Sequence, residues 1–70
     1  DQRAMLRNLE RLMLLSPEKN DLYRIRGHLL AAMGCLQKAI CSLKTYIKHS
    51  DDPQKNEECE KQIQLLRSFL

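Results

Sequence analysis

The sequence predicts an all-α fold of antiparallel helix hairpins with about four helices, and three observations carry that expectation. Apolar side chains recur at helical spacing in two sets. The first is Leu22, Tyr23, Leu29, Leu30 and Met33; the second is Leu36, Ala39, Ile40, Leu43, Tyr46 and Ile47, with Gly34 between them. An earlier segment repeats the second set at one fixed offset, pairing Met5 with Ala39, Leu6 with Ile40, Leu9 with Leu43, Leu12 with Tyr46 and Met13 with Ile47. The same punctuation, a serine followed shortly by a proline, appears at Ser16-Pro17 and at Ser50-Asp51-Asp52-Pro53.

Residues 2–15 read as the first helix. Met5, Leu6, Leu9, Leu12 and Met13 share one face, and Arg3, Arg7, Glu10 and Arg11 occupy the other. Ser16 can act as an N-cap with Pro17 in a first helical turn, while Asn20 and Asp21 offer a second cap. The second helix therefore starts between these two points and runs to Met33. The third is expected from about Cys35 to His49. Asp52 then caps a fourth helix that opens on Pro53, with Gln54, Lys55, Glu57, Glu58, Lys61 and Gln64 as its solvent side. Aligning Pro17 with Pro53 sets Cys59 opposite Tyr23, Leu66 opposite Leu30 and Ile63 opposite Gly27. A branched residue in place of a glycine predicts that no helix comes close at Ile63.

Glycine inside a helix costs roughly 0.5 to 1 kcal/mol relative to alanine, so Gly27 needs a packing reason, and close approach of a neighbouring helix at the small Ala39 is one. An early aromatic (Tyr23), a glycine (Gly27), a large apolar residue (Leu30), a turn glycine (Gly34) and a small residue in the next helix (Ala39) together resemble a tetratricopeptide repeat. The offset that relates Met5 to Ala39 is also the period of that family. Arg26, where a leucine usually precedes the glycine, and Tyr46, where a small alanine is common, depart from the pattern. The resemblance implies a right-handed superhelical stack. Residues 1–16 would be the second helix of a partial repeat, 17–52 a full repeat and 53–70 a closing helix. It also implies a non-catalytic protein-interaction or scaffold module that takes a protein or peptide ligand. The Arg26-Gly27 pair, followed by Leu29-Leu30 and Gly34-Cys35, is further similar to the helical tail of SirB1-like, transglutaminase-related proteins. That narrower likeness implies an alternative role, bracing a neighbouring domain.

Seventy residues make one small domain, and a core of that size rarely supplies more than ~3 to 5 kcal/mol of net stability. The chain opens on Asp1, shows no signal-peptide pattern and has no apolar run long enough to span a bilayer, from which a soluble, cytoplasmic piece of a longer protein is expected. Cys35, Cys41 and Cys59 are an odd number without metal-site spacing and fit reduced thiols. A net charge of +3, with basic and acidic residues interspersed, lacks the footprint of a nucleic-acid binder. Only Tyr23, Tyr46 and Phe69 are aromatic, so no row of stacking platforms appears either.

No phosphate loop, paired histidines on one helix or Cys-x-x-Cys motif marks an enzyme, and no cofactor or metal is implied. Asp21, Arg24 and His28 lie at spacings of three and four and so share a stripe of the second helix. By the resemblance this stripe lines the inner groove and contacts a partner peptide. The plainer account is a solvated face holding a local Asp-to-Arg ion pair. A carboxylate clamp for acidic C-terminal peptides draws Lys, Asn and Arg from several successive repeats, and it is not expected from one repeat followed by Glu57 and Glu58. Arg3, Arg7 and Arg11 form a basic row diluted by Glu10, which reads as a solvated face and not as a membrane surface. His49 suits a helix C-terminus, and Cys41 falls off the apolar face. The first helix, lacking its partner, leaves Leu14, Leu15 and part of its apolar face available for a homodimer.

Overall fold

A computed structural model describes all 70 residues as four helices: α1 (Gln2–Leu15), α2 (Asp21–Ala32), α3 (Leu36–His49) and α4 (Pro53–Arg67). Each boundary has a local cause. The Asp1 carboxylate accepts from the Arg3 N–H at 2.9 Å and caps α1. At α4, one carboxylate oxygen of Asp52 accepts from the N–H groups of Gln54 and Lys55 at 3.1 and 3.2 Å, and Pro53 takes the first helical position, where no N–H is needed. Between α2 and α3, Gly34 adopts φ +82°, a left-handed conformation that favours glycine. The Cys35 N–H bonds the Leu30 carbonyl and the Gly34 N–H bonds that of Ala31, the paired pattern of a Schellman stop.

Ser16 ends α1 and does not start α2, for its N–H bonds the Leu12 carbonyl. Asn20 precedes α2 without capping it by a side-chain hydrogen bond. Its amide instead donates to the Tyr46 carbonyl at 2.9 Å. That carbonyl lies in the last turn of α3 and is left over because the Ser50 N–H turns to Ile47. Asn20 therefore satisfies the end of α3 and ties the entrance of the hairpin to its exit.

Each helix packs against the next, α1 on α2, α2 on α3 and α3 on α4. The resulting slab measures 31 × 28 × 14 Å between Cα atoms, its thin dimension matching two helix layers. The α2–α3 contact is the tightest. A methyl group built on Gly27 would stand 2.7 Å from Leu43 Cγ and 3.3 Å from the Ala39 carbonyl oxygen, and both Leu43 and Ala39 are completely buried. Leu30, Ile40 and Tyr46 complete the α2–α3 part of the core, and Cys59, Ile63 and Leu66 supply the α4 part.

Burial of Ile63 corrects one sequence expectation. It lies in the core against α3, where a helix does come close. The two prolines are not equivalent: Pro17 sits in the turn before α2, whereas Pro53 is the first residue of α4. Ile25 and Leu29 of α2 share a groove with Met5, Leu9 and Leu12 of the preceding helix. Cys59 and Ile63 stand beyond Ile25 and Leu29 by the same offset that relates α1 to α3. In that register the place of Gly27 falls to Lys61, an exposed side chain.

Candidate functional site

The stripe on α2 forms as its spacing predicts. Arg24 donates from Nε and Nη2 to the two carboxylate oxygens of Asp21, at 3.0 and 3.3 Å, and His28 is exposed one turn further along. The Arg24 side chain is 26 % exposed and that of Asp21 50 %. This hydrogen-bonded pairing holds the Asp21 carboxyl below the usual aspartate range, with Lys55 of α4 adding a smaller attraction. The same bond raises the Arg24 guanidinium. Arg24 Nη1 donates to no protein acceptor.

Asp21 also borders an open depression with Tyr46, His49, Asp52 and Lys55, so the start of α2, the end of α3 and the start of α4 present titratable groups side by side. His28 and His49 do not meet there; only His49 lines the depression. The remaining residues singled out from the sequence serve packing. Leu30 and Ala39 are core, and Tyr23 packs against it. Gly27 and Gly34 do what backbone geometry requires of them.

Arg26, the departure from the repeat pattern, carries a polar cluster drawn from three helices. Its Nη1 donates to the buried Ser42 hydroxyl of α3 at 2.5 Å, and its Nη2 reaches Glu10 of α1 at 3.4 Å. One guanidinium thus joins three helices, using a polar rim where the repeat pattern has an apolar contact. Sequence reasoning finds the substitution but not its partners, because each lies 16 residues away in opposite directions. Cys41 is exposed and Cys35 half-buried, while burial pushes the Cys59 thiol up. No three His, Cys, Asp or Glu side chains converge as a metal site, and no helix is long and apolar enough to cross a membrane.

A family model described as tetratricopeptide repeat matches residues 1–64. No curated protein and no solved structure matches the chain. The match is to the repeat family as a whole and gives no support to the narrower likeness to SirB1-like proteins.

Proposed function

The chain belongs to the tetratricopeptide repeat family, whose members are generally non-catalytic interaction modules, and from that premise we propose that it binds a partner peptide along α2 through Asp21, Arg24 and His28. In this reading residues 1–16 are the second half of a partial repeat, 17–52 a full repeat and 53–70 a closing helix. The observation that supports it most is the Asp21–Arg24 pair. Two hydrogen bonds fix the guanidinium plane while Nη1 stays available, an arrangement suited to a peptide carbonyl or carboxylate. Exposed His28 extends the stripe by one turn.

Panning a displayed peptide library against the immobilised chain, followed by calorimetric titration of the recovered peptide, tests the reading. An Arg24→Ala/His28→Ala double variant is expected to lose about tenfold or more in affinity, the equivalent of ~1.4 kcal/mol. Unchanged affinity overturns it.

A second reading, self-association through α1, is favoured by a separate observation. Met5, Leu12, Leu14 and Leu15 are 58 %, 51 %, 83 % and 80 % exposed on one helix. Sedimentation velocity across a concentration series is expected to show a dimer that Leu12→Ser/Leu15→Ser abolishes, and a monomer at every concentration removes this reading.

A further inference from the structure

Charge is divided unevenly between the two layers of the slab. Arg26 reaches Glu10 of α1 and Ser42 of α3 with one guanidinium, which sets these two helices on the same side, while Lys55 of α4 attracts Asp21 of α2 on the other. Together α1 and α3 carry Arg3, Arg7, Arg11, Lys38, Lys44 and Lys48 against the single carboxylate of Glu10. On α2 and α4 five cations meet four carboxylates and nearly cancel.

The sequence reads Arg3, Arg7 and Arg11 as a row diluted by Glu10, and the structure removes that dilution. Glu10 gives its carboxylate to Arg26 of α2 at 3.4 Å. The other ion pairs, Asp21–Arg24 and Glu57–Lys61, lie within α2 and α4, so the six cations of α1 and α3 are all exposed and have no carboxylate partner. Helical spacing sets them on the halves of α1 and α3 that lie opposite the buried Leu9 and Leu43. One broad basic face results. Leu14 and Leu15, 83 % and 80 % exposed, follow Arg11 by three and four positions and continue its row.

Clustered cations beside exposed apolar side chains are the two contributions that hold a peripheral protein on a lipid surface. We propose that the outer face of α1 and α3 docks on an anionic bilayer surface, its six cations meeting the headgroups while Leu14 and Leu15 enter the interface. The leucines favour this occupant over other polyanions. An extended acidic peptide or a nucleic-acid backbone matches the cations but leaves the leucines wet, and the face has no aromatic platform for a base, since Tyr46 is buried and Tyr23 and Phe69 lie outside α1 and α3. A second copy competes for the leucines alone. Setting α1 against α1 brings Arg3, Arg7 and Arg11 up to their own copies. The face shares no residue with the Asp21, Arg24 and His28 stripe, so the two surfaces are separable by mutation.

The experiment mixes the whole chain with sucrose-loaded vesicles of phosphatidylcholine containing about a third phosphatidylserine, or of phosphatidylcholine alone, and sediments them. Co-sedimentation is expected with the anionic vesicles only, and it should fall about tenfold or more as sodium chloride rises from about 0.1 M to about 0.5 M. Arg7→Gln/Lys44→Gln is expected to weaken it about tenfold or more, and Leu14→Ser/Leu15→Ser by about the same. Lys55→Gln/Lys61→Gln removes equal charge from α4 and is expected to change it less than about twofold. All six positions are exposed, and an unchanged circular dichroism spectrum checks the fold of each variant. Four results overturn the proposal: no sedimentation with anionic vesicles, equal sedimentation with neutral ones, indifference to either the Arg7/Lys44 or the Leu14/Leu15 exchange, or an equal loss in the α4 variant. Saturable binding of a polyglutamate peptide or a single-stranded oligonucleotide without vesicle binding assigns the face to another polyanion and overturns it as well.

Discussion

The α2–α3 and α1–α2 contacts are written in the same pattern of apolar residues yet filled to different degrees. Ala39, Leu43 and Tyr46 on α3 are buried, while their counterparts one period earlier, Met5, Leu9 and Leu12, include two that are more than half exposed. The periodicity is equal in the two helices, so it does not decide burial. What differs is the number of neighbours: α3 lies between α2 and α4, whereas α1 has α2 alone as a principal partner. In a linear array the interior helix receives two interfaces and the end helix one, and stability is close to the sum of such interfaces.

That contrast is sharpest where side chains are removed from the two regions. Leu43→Ala, at a fully buried position touched by Gly27, is expected to cost about 2 to 5 kcal/mol, which is comparable to the whole stability expected of a domain this size. Urea denaturation should show the variant largely unfolded; a cost matching that of Leu12→Ala would erase the distinction between the helices. Gly27→Leu comes next, at roughly 1 to 3 kcal/mol, because even a methyl group there collides with Leu43 Cγ. A melting temperature equal to the parent's would mean that the helices do not touch at this point.

Gly34→Ala is expected to cost about 1 kcal/mol for a different reason. Space around Gly34 is open, and the penalty comes from the left-handed backbone alone. Replacement of Gly34 by asparagine, which tolerates that conformation better, should recover part of the loss and so separates backbone strain from packing. The smallest effect is the acid response of Asp21. Its carboxyl lies below the usual range when folded, so the pair stabilises above the unfolded-state titration and that contribution disappears as pH falls through the folded one. With Asp21 half exposed the amount is about a few tenths of a kcal/mol at most. Carboxyl NMR titration of the parent against Arg24→Ala should show the Asp21 midpoint rise in the variant; no movement would dissolve the pairing.

Much of the fold is legible in local signals. Helix ends follow from Asp52-Pro53 and from Gly34, and Gly27 with Ala39 announces the close contact, because each of these constraints acts within a few residues of its cause. The Asp21, Arg24 and His28 stripe is legible for the same reason, since helical spacing alone places it. Asn20 and Arg26 are harder to read. Both look like local features, a cap and an odd substitution, yet the structure uses them at long range, on Tyr46 and on Ser42 with Glu10. A partner chosen by tertiary approach leaves no periodic trace. Ile63 misleads because a proline in a turn and a proline inside a helix look alike on paper, although they fix different registers.

Arg26 is the one side chain whose hydrogen bonds tie α1 to the rest of the molecule, and the distance to Glu10 is long. The opening helix therefore hangs on a shallow greasy patch and a single stretched clasp, and it can lift away while the hairpin behind it stays closed. Its amide protons should trade with heavy water well before those of α3, and a protease should first find purchase in the exposed stretch from Pro17 to Lys19.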